Sequence, residues 1–101
     1  MPNTTKEKII VDIPMFMEND NNYILILHND KVTPMDYVII ALMTVFGKDE
    51  QEGDRLMRHA HNNGSAIIET VDYHSGKAKL EALKFLNMIM GFVLKVTMTL
   101  N

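Results

Sequence analysis

Tyr23-Ile24-Leu25-Ile26-Leu27-His28-Asn29-Asp30-Lys31-Val32-Thr33-Pro34-Met35-Asp36 decides the fold, because it runs from a strand through a turn into a helix without a break. Tyr23 to His28 is rich in strand formers and short enough to be a buried strand. Asn29-Asp30 ends it, since both side chains bond readily to the backbone ahead of them. Thr33 can then cap a helix, Pro34 fits the first helical position, and Asp36 stands where a capping box places its acid. Met35, Val38, Ile39, Leu42, Val45 and Phe46 follow at spacings of three and four and form one apolar face, and Gly47 offers a left-handed end.

Downstream, the acids at Asp49 and Glu50 suit the start of a second helix, which runs through Leu56, Met57 and Ala60 to a stop at Asn62-Asn63-Gly64. Gly53 weakens its first half. Ala66 to Tyr73 places Ile67, Ile68, Val71 and Tyr73 among polar residues and predicts a strand closed by Ser75-Gly76. Lys77 to Met90 predicts a third helix presenting Ala78, Ala82, Leu83, Phe85, Leu86 and Ile89, with Gly91 after it. Phe92, Leu94, Val96, Met98 and Leu100 alternate with Val93, Lys95, Thr97 and Thr99, the pattern of a strand with one buried face. The order β-α-α-β-α-β implies an α+β domain, a small three-stranded antiparallel sheet with three helices packed on one face. Upstream, residues 1–21 surround a short apolar island (Ile9 to Val11, Ile13, Met15, Phe16) with charge, Asn and Pro. They read as a flexible N-terminal extension to a core domain over 22–101.

A length of 101 residues at 47% hydrophobic content supports one core and no second domain. The net charge of −3, with no dense run of Lys or Arg, lacks the footprint that nucleic-acid binding requires. With no cysteine the chain has neither disulfides nor thiolate metal sites, and the expected compartment is the cytoplasm. Asp12 and Pro14 interrupt the apolar run after Lys6 and Lys8 long before an export signal or a membrane span is complete. Neither a Gly-x-Ser-x-Gly elbow nor a Gly-Lys-Ser/Thr phosphate loop occurs, so no enzyme is expected. His59 and His61 form a His-x-His pair, but each helical residue turns by about 100°, which sends the two rings to nearly opposite faces. No metal and no cofactor are expected. Nine methionines suit either gap filling in a core or an adaptable binding surface.

Two places remain: the junction from His28 to Asp36, and His61 at the end of the second helix. Each has a plain structural reading. Asn29-Asp30 suits any turn, His61 complements a helix dipole, and Met35, Val38, Met57 and Leu94 recur at core spacing.

In their order and spacing, however, these residues resemble the ClpS family. The family's signature is an aliphatic strand leading into Asn-Asp, then Thr-Pro-Met and an acid opening a helix; this chain reads Tyr-Ile-Leu-Ile-Leu-His-Asn-Asp-Lys-Val-Thr-Pro-Met-Asp-Tyr-Val. Downstream the family has a Met and a His shortly before a Gly, matched by Leu56-Met57-Arg58-His59-Ala60-His61-Asn62-Asn63-Gly64. The likeness spans Tyr23 to Thr99, with these two blocks the diagnostic ones.

The resemblance implies a monomeric adaptor that binds the free N-terminal Leu, Phe, Tyr or Trp of an N-degron substrate. It would deliver that substrate to a ClpA- or ClpC-type AAA+ ATPase for degradation by the Clp protease. It implies that Asn29, Asp30 and His61 hold the α-amino group, a cation with N–H donors that needs acceptors and negative charge. Leu27, Thr33, Met35, Val38, Met57, Ala60 and Leu94 would line the hydrophobic pocket, with Met35 as a gate against β-branched side chains. Lys79 and His74 would belong to the ATPase-docking surface. The chain departs from the family at Lys31, where many relatives carry a second acid, and in Tyr73 to Lys79, which lacks the acids common before the family's lysine. These departures motivate an alternative: a divergent ClpS-like regulator that docks on a Clp ATPase or another partner without binding N-degrons.

Overall fold

The computed structural model describes residues 21–101. The extension expected over 1–21, with its apolar island, lies outside the described residues except for its last position. The element order is β1 (Tyr23–His28), α1 (Met35–Thr44), α2 (Glu50–Asn63), β2 (Ser65–Val71), α3 (Tyr73–Met90) and β3 (Val96–Leu100), the β-α-α-β-α-β succession predicted. The sheet is antiparallel throughout, in the order β2-β1-β3. β1 is thus central, and its alternation sends Tyr23, Leu25 and Leu27 into the core while Ile24, Ile26 and His28 stay half-buried on the other face. The core joins them to Val38, Ala41 and Leu42 of α1, Leu56, Met57 and Ala60 of α2, and Leu83 of α3.

α2 matches its predicted signals closely. Asp49 accepts a hydrogen bond from the Glu52 N–H at 2.8 Å, and Gly64 closes the helix at φ 94°, a left-handed conformation that glycine adopts without steric cost. Gly53 is buried in the middle of the contact with α1, where an added Cβ would touch Ile39 at 3.4 Å. Its presence reflects close approach of the two helices.

Four expectations are corrected. Thr33 does not cap α1: its N–H and hydroxyl both donate to Asp30, at 2.6 and 2.7 Å, and the helix begins one residue after an extended Pro34 with no side-chain cap. The helix proper stops at Thr44, and left-handed Gly47 lies in a wider closing turn in which Lys48 N–H reaches Leu42 O. Ser75-Gly76 does not close a strand. β2 ends at Val71, Asp72 caps α3 by accepting from the Ser75 N–H at 2.8 Å, and Gly76 is buried in the first turns of that helix. The face α3 packs is therefore Gly76, Leu80, Leu83 and Asn87, at spacings of four, three and four, while Phe85 and Ile89 are exposed. Finally, β3 pairs only from Val96, although Leu94 and Met98 are both buried as the alternation predicts.

A β-bulge interrupts the pairing of β1 with β2. Leu25 faces Glu69 whereas the next residue, Ile26, faces Ile67, so Ile68 is extra. The kink turns Glu69 toward the helices, where it accepts from Lys48 at 2.8 Å and from Lys79 of α3. Burial disfavours the Glu69 charge, but the two ammonium groups outweigh it and hold the carboxyl below its ordinary value of 4.5.

Two measurements check this framework. Gly76→Ala places a Cβ against Met98, which is flexible, and Val71, which is stiff at χ1. We expect about 1–3 kcal/mol of destabilisation by urea unfolding. Glu69→Gln leaves two lysines without a counter-ion and should cost about 1–2 kcal/mol at neutral pH. Because the folded-state value is depressed, this contribution is complete above pH 4.5 and is lost as pH falls through the lower folded-state value, so the wild-type protein and the Glu69→Gln variant should converge in acid.

Candidate functional site

The site lies where the central strand runs out. The His28 N–H donates to Lys95 O at 3.1 Å and the Asn29 N–H donates to Gly64 O at 3.0 Å. These bonds bring the start of the β1–α1 loop against the C-terminal end of α2 and against the segment leading into β3. Both bonds continue the pairing of β1 just past the ends of its neighbours, so the convergence follows from the fold.

Between these segments is a cavity of about 200 Å3. Leu27, Val38, Met57, Ala60 and Leu94, all buried, form its apolar wall. Thr33 and Met35 stand at its rim on the loop and the first residue of α1, and Met35 is 51% exposed, so it is a movable side chain at an opening. Asn29, Asp30 and His61 supply the polar edge. All ten residues singled out in the sequence for a pocket therefore meet around one cavity. His28 and Lys31, both from the same candidate junction, line it too.

The three polar groups differ in how they are held. Asp30 accepts from the Val32 N–H at 2.8 Å, the Thr33 N–H at 2.6 Å and the Thr33 hydroxyl at 2.7 Å. Burial opposes its charge, but these hydrogen bonds prevail and keep the carboxyl below its ordinary value. It is a fixed anion that also shapes the loop. Among the described residues, the Asn29 carboxamide and the His61 imidazole have no hydrogen-bond partner, and both residues are exposed. Their acceptor and donor capacity is open to a ligand.

A second tier positions Leu94, and sequence reasoning missed it. Asn87 on α3 donates to Leu94 O at 3.0 Å and accepts from Leu94 N–H at 3.3 Å and from the Tyr37 hydroxyl at 2.7 Å. Tyr37 also packs on Phe92, with ring centroids 4.6 Å apart. The only local hint was an Asn inside an otherwise apolar helical stretch.

Lys79 and His74 do not line the cavity. Lys79 is engaged with Glu69, and exposed His74 stands edge-on to Tyr73 in the first turn of α3. His59 does not share the cavity with His61, as the helical geometry requires; its carbonyl accepts from Asn63. Among the described residues no group of three or more His, Asp or Glu could hold a metal, and no helix is long and apolar enough to cross a membrane.

Comparison with known proteins agrees with this fold. The family model for the ATP-dependent Clp protease adaptor protein ClpS matches residues 18–97. The Clp protease adapter ClpS of Desulforapulum autotrophicum is 34% identical over 76 residues, which is 75% of this chain and 73% of that protein. Its counterpart in Clostridium acetobutylicum is 34% identical over 82 residues, 81% of each. Among solved structures, that of Agrobacterium tumefaciens ClpS2 bound to L-phenylalaninamide superposes with a TM-score of 0.73 at 32% identity, covering 78% of this chain and 95% of that one. With fold and sequence in agreement, the chain belongs to the ClpS family of Clp protease adaptors and is an adaptor, not an enzyme.

Proposed function

We propose that the cavity is the socket for the N-terminal residue of an N-degron substrate, which the protein hands to a ClpA- or ClpC-type AAA+ ATPase in the cytoplasm. The observation that carries this reading is the junction of an apolar wall with a polar edge holding one fixed anion and two uncommitted acceptors. A free α-amino group is a cation with N–H donors, and Asn29, Asp30 and His61 match it. L-phenylalaninamide, bound by the Agrobacterium relative, combines such an amine with an apolar ring. A side chain of Leu or an aromatic residue fits the wall formed by Leu27, Val38, Met57, Ala60 and Leu94, with Met35 crowding out β-branched ones.

The energies are adequate. Hydrogen bonds to a charged group contribute about 1.5–3 kcal/mol each, and burial of one large apolar side chain a further 1.5–3 or so. Together they reach roughly micromolar affinity without an extended interface.

Fluorescence anisotropy with labelled peptides tests the reading. Peptides beginning with Phe or Leu should bind, and acetylating their amine should abolish binding. Asp30→Ala or His61→Ala should each weaken it by about 1 kcal/mol or more. Met35→Ala should narrow the discrimination against Ile and Val. Equal affinity for acetylated and free peptides would refute the socket. Lys31, a cation where relatives carry an acid, favours the second reading, a ClpS-like regulator; that protein would bind a Clp ATPase in a pull-down but no peptide. For the docking surface, His74→Ala is the informative variant, because it leaves the Glu69–Lys79 pair intact.

A further inference from the structure

Beside the socket, and sharing His28, Asn29, Asp30, Thr33 and Leu94 with it, lies a second and wider groove of about 820 Å3. Its far wall comes from α3 and from the segment between α3 and β3, with Leu80, Phe92 and Val93 giving it apolar character. Lys84 and Lys95 also line it, and among the described residues the only carboxylate in its lining is Asp30, whose oxygens are occupied by Val32 and Thr33.

The distribution of cations makes this groove distinctive. Among the described residues Lys48 and Lys79 pair with Glu69, Arg55 with Glu52 and Arg58 with Asp54, while Lys77 lies over the Tyr73 ring. Among the same residues Lys31, Lys84 and Lys95 have no such partner, and all three line the socket or the groove beside it. Unpaired cations collected around one depression raise its potential and favour an anionic occupant.

Resting on the socket reading above, we infer that the groove receives the residues that follow the substrate's first one, and that Lys31, Lys84 and Lys95 select acidic side chains at the second to fourth positions. A chain whose amine is held at Asn29, Asp30 and His61 must leave the socket over its rim, and the groove is continuous with that rim through the five shared residues. The arrangement sorts charge along the substrate: the cationic amine meets Asp30, and the acids behind it meet lysines.

Two labelled peptides test the inference, each beginning with Phe and carrying either Glu or Lys at positions two to four, with acetylated versions of both as controls. At low salt the Glu peptide should bind roughly five- to tenfold more tightly, since each exposed charge pair is a modest effect. The ratio should shrink toward one in high salt, and likewise in a Lys84→Ala/Lys95→Ala double variant whose fold is verified by circular dichroism. If both peptides bind within about twofold of each other while acetylation still abolishes binding, the groove preference is wrong and the socket stands. If acetylation changes nothing, the socket fails and the inference falls with it. A preference for the Glu peptide that persists unchanged in high salt or in the double variant would also overturn the role of the lysines.

Discussion

The amide of His28, the last residue of β1, and that of Asn29 just after it organise this molecule. A central strand is paired on both sides along its length, but β3 reaches only as far as Val96, opposite Leu27, and β2 only as far as Ser65, opposite His28, so the His28 and Asn29 N–H groups go to Lys95 O and Gly64 O just beyond those strands. Two backbone hydrogen bonds thereby clamp three remote segments together: the β1–α1 loop, the end of α2 and the approach to β3. Asn29, His61 and Leu94 become neighbours around a cavity without any bond among their own side chains.

Within that clamp the polar residues divide the work. Asp30 spends its lone pairs on Val32 and Thr33, so what it presents to the cavity is mainly a fixed charge, reinforced by the hydrogen bonds that keep it ionised. Asn29 and His61 keep directional capacity. The same use of Asp30 explains why α1 opens on exposed Met35: Thr33 is drawn back into the loop, leaving the helix to begin uncapped at the cavity mouth. The wall opposite depends on the close approach of α1 and α2 at Gly53, which seats Val38 of one helix and Met57 and Ala60 of the other on a common cavity.

Electrostatics is arranged unevenly around the fold. Two paired lysines tie elements together at Glu69, where a β-bulge turns one carboxylate toward Lys48 and Lys79 and so joins the sheet to the helical layer. Unpaired cations gather near the socket and the adjoining groove. A chain with net charge −3 thus combines an anionic notch with a cationic margin, and the overall charge reveals neither.

The amino-acid sequence by itself determined the succession of elements, the span of α2 between its caps Asp49 and Gly64, and the buried alternation of Leu94 and Met98, because caps and periodicity act between residues a few positions apart. The residues that line the cavity were also legible, through two blocks whose order and spacing resemble one family. What sequence reasoning left out depends on contacts distant in the chain. Asn87 holds Leu94 and meets Tyr37 across 50 positions, the packing face of α3 is set by the fit of Gly76 against Met98 and Val71, and Thr33 abandons its cap because Asp30 competes for it. Local rules specify which partners a residue can use; only the assembled sheet and helices decide which of them lies within reach.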